Sequence, residues 1–215
     1  MARSENKTAP LAPRLYLLLP PLAGHAEAEA ERLAALLRDV AAATDLAAVL
    51  IRPGEAGAGE LRGLVAAAQE AGAACLIDGN AALAAATGAD GVHATGLTAL
   101  KGALAAVRPD GIAGVSDLKN KHDAMSAGES GADYVMFGEA DAQGRRPPFD
   151  TTCERVQWWA EIFQTPCVAY ARTLEEVDAL VAAGADFIAV DTLLLDDTAD
   201  AARALAGRLV PAGAG

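Results

Sequence analysis

Eight short clusters, most of them polar, each stand at the end of a run rich in Val, Ile, Leu or Ala. They are Pro20-Pro21, Arg52-Pro53-Gly54, Asp78-Gly79-Asn80, His93-Ala94-Thr95-Gly96, Ser116-Asp117, Gly138-Glu139, Tyr170-Ala171-Arg172-Thr173 and Asp191-Thr192. Their residue types suit phosphate binding and proton transfer. Thr173 followed by Glu176 forms a capping box, and the helix N-terminus behind it, with Arg172 alongside, can hold a phosphate. Asp191 opposes an anion there. Glu139 has no charge partner near it in sequence, and an acid at such a position gains a raised pKa suited to proton transfer. Arg52 reads either as a ligand contact or as a structural arginine paired with Glu55 or Asp78. His93 follows apolar Val92 and reads first as a hydrogen-bonded core histidine, second as a ligand contact. Ser116 is a ligand-facing hydroxyl or the N-cap of a helix starting near Leu118. His25 either caps a helix or faces the ligand, and His122 lies on a solvated helix surface.

Positioning these clusters requires a repeating frame. Apolar runs lie near 14–20, 47–52, 74–78, 90–93, 112–116, 133–137, 167–170 and 186–190, each too short for a helix. The spacers between them have the helical period, as in Leu33, Leu36, Leu37 and Val40, and a last helix is expected from about 197 to 208. A phrase recurs at Gly88-Ala89-Asp90, Gly131-Ala132-Asp133 and Gly184-Ala185-Asp186, with a weaker copy at Ala71-Gly72-Ala73. Each glycine falls where a helix should end and can take a positive φ, after which the chain enters the next strand. Helical crossovers throughout imply a parallel sheet buried on both faces, and eight units imply closure as an α/β (β/α)8 TIM barrel. An open doubly wound sheet is the alternative, but Pro20-Pro21-Leu22-Ala23-Gly24 lacks the G-x-G-x-x-G fingerprint. In a barrel the eight clusters line one mouth, and the loops after strands seven and eight, with Arg172, Thr173 and Thr192, form the usual phosphate site.

Composition narrows the partners. The 215 residues carry 17 Lys and Arg against 29 Asp and Glu, a net charge of −12, and no basic cluster is longer than Arg145-Arg146. Nucleic acid is excluded as an expected partner. Cys75, Cys153 and Cys167 lie far apart without metal spacing, which points to a reducing, cytoplasmic setting. The apolar stretch from Leu15 to Leu19 is too short for a signal segment, and no stretch approaches a membrane span. Residues 1–13 read as a loose tail and 14–215 as a single domain. Of Trp158 and Trp159, on the sixth helix, one is expected to pack and the other to be exposed.

The sequence resembles the thiamine-phosphate synthase and thiazole tautomerase barrels. The resemblance is carried by Ile77-Asp78-Gly79-Asn80, Gly88 to His93, Gly114-Val115-Ser116, Gly131 to Gly138 and Ala183 to Val190, in order and spacing over residues 14–208. It implies that a pyrimidine methyl diphosphate is joined to a thiazole phosphate with release of pyrophosphate, and that the partners are small phosphorylated metabolites. It places Arg52 on the arginine of a Q-x-R-x-K pattern, Ser116 on a ligand-contacting serine, and Arg145 and Arg146 on a diphosphate-gripping lysine. Asn80, His93, Arg172, Thr173 and Thr192 fall in ligand-binding loops. Several positions depart from the pattern. Leu50 and Gly54 replace the glutamine and lysine. The family's Asn-Asp falls on Asp78 and Gly79 and its second metal-binding Asp near Thr98, which leaves Asp78 as the candidate ligand of Mg²⁺. Glu139 and Asp141 add acid to the diphosphate loop, and Glu139 stands where tautomerase relatives carry a histidine. The expectation is therefore a synthase-like barrel with Arg52, Ser116 and Glu139 as catalytic candidates and weak or absent synthase turnover. The alternatives are a tautomerase-like isomerase using Glu139 and a non-catalytic phosphometabolite binder; homo-oligomerisation is open.

Overall fold

Alternate residues of each apolar run are buried in two different places, and this period of two builds the molecule. In the computed structural model, which describes residues 12–22, 26–141, 143–191 and 198–209, eight parallel strands close in sequential order. They are β1 (Arg14–Leu18), β2 (Leu46–Ile51), β3 (Ala74–Asp78), β4 (Gly91–Thr95), β5 (Ile112–Ser116), β6 (Tyr134–Phe137), β7 (Cys167–Tyr170) and β8 (Phe187–Val190). Between and after them lie α1 (Ala26–Ala43), α2 (Ala58–Glu70), α3 (Ala81–Thr87), α4 (Gly96–Val107), α5 (Lys121–Glu129), α6 (Phe149–Ile162), α7 (Leu174–Ala182) and α8 (Thr198–Arg208). The expected (β/α)8 barrel is what forms; the open-sheet alternative is not, because β1 pairs with β8 as well as with β2.

One residue set, including Leu17, Val49, Ile77, Val115, Val135, Ala169 and Ile188, faces the helices and joins their apolar stripes in the main core. The alternate set, Tyr16, Leu18, Ala48, Leu50, Leu76, Tyr134, Met136, Val168, Tyr170 and Ala189, fills the barrel itself. Trp159 is fully buried, whereas Trp158 is partly buried against the core with Lys121 Nζ over its ring.

The repeated phrase forms the foot of the barrel. Gly88, Gly131 and Gly184 have φ of 77°, 91° and 91°, and the following alanine amides donate back to Ala84, Ala127 and Leu180. Asp90, Asp133 and Asp186 then accept the backbone amides of Cys75, Ala113 and Cys167 at 2.7, 2.7 and 2.8 Å. Each aspartate amide also donates to the carbonyl of that same residue, at 2.8, 2.9 and 3.1 Å. The phrase is thus a staple between β3 and β4, β5 and β6, and β7 and β8. Asp45 stands at the equivalent place before β2, but its carboxylate accepts from Nε and Nη2 of Arg14 instead, each at 2.8 Å.

Of the expectations above, Thr192, His25, residues 1–11 of the tail and residues 210–215 lie outside the described residues. Among the described residues no helix is long and apolar enough to cross a membrane.

Candidate active site

Extending the inward register by one step past each strand selects the mouth. Leu50, Leu76 and Ala189 point into the barrel and a Cβ on Gly114 would meet the Tyr134 ring there, so Arg52, Asp78, Ser116 and Asp191, two residues on, face its C-terminal opening. Glu139 does not follow this count. It reaches the mouth because Gly138 turns the chain with φ of 92°, at a point where a Cβ would lie 2.7 Å from Thr152 Cγ2. The resulting inner cavity, about 410 Å³, is lined by Arg52, Asp78, His93, Ser116, Glu139 and Asp191 together with Pro21, Thr95, Asp117, Ala140, Asp141 and Tyr170.

Arg52 organises this cavity. Its guanidinium forms an ion pair with Glu139, and its Nε lies 4.0 Å from Asp78 Oδ2, beyond hydrogen-bond distance. Glu139 has no charge partner near it in sequence, and its partner in the fold lies 87 residues away, across the mouth; the close partner of Arg52 is thus Glu139 and not Glu55 or Asp78. Burial still pushes the Glu139 carboxyl above its ordinary range, with Arg52 and the Ser116 hydroxyl opposing. Burial raises Asp78 too, against the pull of Arg52. His93 Nδ1 lies 2.7 Å from the Tyr134 hydroxyl, and burial, followed by the Arg52 charge, lowers its pKa to about 3. Tyr170 donates to Asp191 Oδ1 at 2.9 Å. Within this lining, one guanidinium faces five carboxylates: Asp78, Asp117, Glu139, Asp141 and Asp191.

An outer cavity of about 260 Å³ adjoins it, sharing Asp117, Glu139 and Asp141, and gathers Lys119, Arg145, Arg146 and Arg155. Arg145 pairs with Asp141, and Lys119 with Asp117. Arg146 is locked by the Gly138 and Tyr170 carbonyls and by Glu176. Arg155 donates only to the carbonyls of Leu118 and Lys119 and has no carboxylate partner among the described residues.

The remaining candidates do not line either cavity. The Asn80 side chain caps α3 by accepting from Leu83 at 2.9 Å. Thr173 caps α7, but Glu176 turns back to the Arg172 amide at 2.8 Å, so a carboxylate already occupies the helix end expected to hold phosphate. The N-cap of α5 is Asn120, which corrects the capping alternative for Ser116. Tyr16 and Tyr134 in the barrel and Lys119 and Arg155 at the outer cavity are functional candidates that only the fold reveals. The tyrosines carry the inward parity that marks them. Lys119 and Arg155 come together only because α6 packs beside the β5 loop. Among the described residues no three His, Cys, Asp or Glu side chains form a ready-made metal cage.

Comparison with known proteins agrees with this architecture. The model of the family described as thiamine monophosphate synthase matches residues 22–194. A thiamine-phosphate synthase of Rhodospirillum centenum is 40% identical over 184 residues, covering 82% of this chain and 86% of the relative. A thiamine-phosphate synthase of Hyphomonas neptunium is 37% identical over 193 residues, covering 83% and 84%. Among solved structures, a thiamine phosphate pyrophosphorylase of Pyrococcus furiosus superposes with a TM-score of 0.71 at 20% identity, covering 91% of this chain and 95% of that one. A 3-hexulose-6-phosphate synthase superposes at 0.70 with 18% identity, covering 92% and 100%; at these identities the likeness is one of fold.

Proposed function

The chain belongs to the thiamine monophosphate synthase family, and from that premise we propose that its mouth joins a pyrimidine methyl diphosphate to a thiazole phosphate. The observation that carries this reading is the charge polarity of the two cavities. The carbon–oxygen bond to the diphosphate breaks with its electron pair leaving on pyrophosphate, so positive charge grows on the pyrimidine methylene. The thiazole nitrogen then gives its pair to that carbon. A site complementary to this has acids around the ring and cations around the leaving group. The inner lining sets five acids against Arg52, whereas the outer one sets Lys119, Arg145, Arg146 and Arg155 against the three acids it shares, Asp117, Glu139 and Asp141. In this reading Arg52 acts from the inner cavity through its pair with Glu139, which lines both, Ser116 and Glu139 orient the ring, and the diphosphate lies outward.

Asp78 faces the inner cavity with no cation within hydrogen-bond distance, which fits one carboxylate ligand of a largely hydrated Mg²⁺ held mainly by substrate phosphates. When bound, such an ion would supply positive charge to the departing pyrophosphate. Arg172 and Thr173 are assigned to the thiazole phosphate, against the opposition of Glu176 and Asp191, and Thr192 is assigned with them. Loss of titration heat with thiazole phosphate in Arg172→Ala is expected, and unchanged affinity removes that contact. The raised pKa of Glu139 favours a second reading, a proton-shuttling isomerase, but the Arg52 contact works against protonation. A cytoplasmic setting is part of the proposal.

The decisive assay mixes purified protein with both phosphorylated substrates and Mg²⁺ and quantifies thiamine phosphate. Product is expected to form at least tenfold more slowly than a typical enzyme's roughly 10 s⁻¹, because Leu50, Gly54 and Gly79 contribute no charged contact. Product no faster than in a protein-free control overturns the reading. A thiazole isomer formed without condensation would put the second reading in its place.

A further inference from the structure

Three buried polar side chains form a line that the proposed reaction leaves unused. Tyr16 on β1, Tyr134 on β6 and His93 on β4 are inside the barrel, with 2%, 6% and 1% of their surface exposed. The two hydroxyls are 2.8 Å apart, and that of Tyr134 is 2.7 Å from His93 Nδ1. Tyr134 can lie across β5 only because residue 114 is glycine: a Cβ there would stand 1.9 Å from the ring. The line ends at His93 Nε2. This atom has no hydrogen-bond partner among the described residues, belongs to a side chain lining the inner cavity, and lies 3.9 Å from Glu139 Oε2.

Counting hydrogens fixes the direction of the line. Two contacts accommodate two hydrogens, and the two tyrosines supply them when Tyr16 donates to Tyr134 and Tyr134 donates to Nδ1. The hydrogen of the neutral imidazole is then on Nε2. If it were on Nδ1, three hydrogens would compete for two contacts, and one tyrosine hydrogen would be left without an acceptor in the barrel interior. The Nε2 lone pair would also face the Glu139 carboxylate. A charged ring is disfavoured by burial, which together with Arg52 holds the pKa at about 3.

We infer that His93 is a fixed, neutral hydrogen-bond donor into the inner cavity, with Tyr134 and Tyr16 as its positioning residues, and that it selects a neutral acceptor atom on the ligand. An anionic oxygen is a poor match, because Glu139 lies beside the donor and Asp78 lines the same cavity. The acceptor is a ring nitrogen or a carbonyl oxygen. Its assignment to the pyrimidine ring rests on the synthase reading, whereas the state of His93 does not.

The experiment keeps the two apart. The sequence has three histidines, so a long-range proton–nitrogen spectrum of the ligand-free, histidine-labelled protein is simple, and His93→Gln assigns the signal. A protonated Nε2 and a bare Nδ1 are expected for His93. A proton on Nδ1, or an averaged pair, overturns the inference. Tyr16→Phe should keep the Nε2–H form, since Tyr134 still donates, and Tyr134→Phe should release it to a mixture. Tyr134→Phe should also bind the pyrimidine methyl diphosphate about tenfold more weakly, the loss of roughly one buried hydrogen bond, with its affinity for inorganic pyrophosphate unchanged. Equal weakening for both probes overturns the ring assignment. If neither probe binds the native protein, the synthase reading falls, and the ligand-free spectrum still decides the donor.

Discussion

At the foot of the barrel Asp90, Asp133 and Asp186 each accept a strand amide at 2.7–2.8 Å, while at the mouth Asp78, Asp117, Glu139, Asp141 and Asp191 share a cavity with one arginine. The foot takes its left-handed backbone from glycines, whereas the mouth imposes a φ of 57° on Asp117, the non-glycine residue with positive φ among those described. The same residue type thus has opposite duties. Foot carboxylates complete the hydrogen bonding of strands and contribute stability. Mouth carboxylates are crowded, and burial pushes Asp78 and Glu139 toward their neutral forms. In the proposed reaction, positive charge developing on the ligand relieves that crowding.

Four substitutions probe this contrast. The largest effect is expected for Arg52→Ala, which removes the one cation among the described residues of the inner cavity. Synthase turnover should fall about 10²–10³-fold, roughly 2.7–4 kcal/mol of barrier, with a melting temperature close to the native one. A loss of stability without loss of turnover would mean that Arg52 is structural and the contrast is misdrawn. Next comes Asp90→Ala at the foot, which leaves the buried Cys75 amide without its carboxylate. About 1–3 kcal/mol of stability should be lost in denaturant titration, with turnover unchanged.

Asp78→Asn sharpens the comparison through its sign. An acid whose folded pKa is raised makes its charged form costly above the unfolded value, and the cost disappears as pH falls through the folded pKa. The variant should therefore melt about 1–2 °C higher than the native protein at pH 7, with the gain fading toward pH 4, while turnover drops. A gain that persisted at pH 4 would not come from charge. The smallest effect is expected for Asp45→Asn, at most about 1 kcal/mol because the pair with Arg14 is largely exposed. Arg14 holds the folded Asp45 pKa below its ordinary value, so the pair contributes above the unfolded pKa and fades as pH falls through the folded one. The two pH slopes should be opposite; parallel slopes would erase the distinction between foot and mouth.

The foot is the part that can be read from a single chain. Its devices are local: a glycine, an alanine and an aspartate in consecutive positions, repeated between elements of regular length. The strands follow from apolar runs, although β4 extends to Thr95, two residues past the expected 90–93. The mouth is legible only where the inward parity continues, as for Arg52, Asp78 and Ser116. The Arg52 and Glu139 pair is invisible in sequence because it depends on closure of the barrel and on the Gly138 turn. Asn80 and Thr173 fall at ligand-contact positions of the family pattern, but short polar residues in front of helices most often cap them, and here both do so. Lys119 and Arg155 lie on different segments and have a common purpose only after α6 is docked.

Tyr16 and Tyr134, together with the apolar side chains packed around them, fill the barrel below His93. The consequence is one of traffic. Among the described residues this end of the barrel is filled, so in the proposed reaction whatever enters the mouth first is also innermost, and whatever enters last leaves before it. The diphosphate of that reaction lies toward the mouth, and the pyrophosphate released from it departs without crossing the newly joined rings. The ring that donates its nitrogen must then already be inside, or must squeeze past the diphosphate. The blind end of the barrel thereby turns a reaction of two partners into a queue.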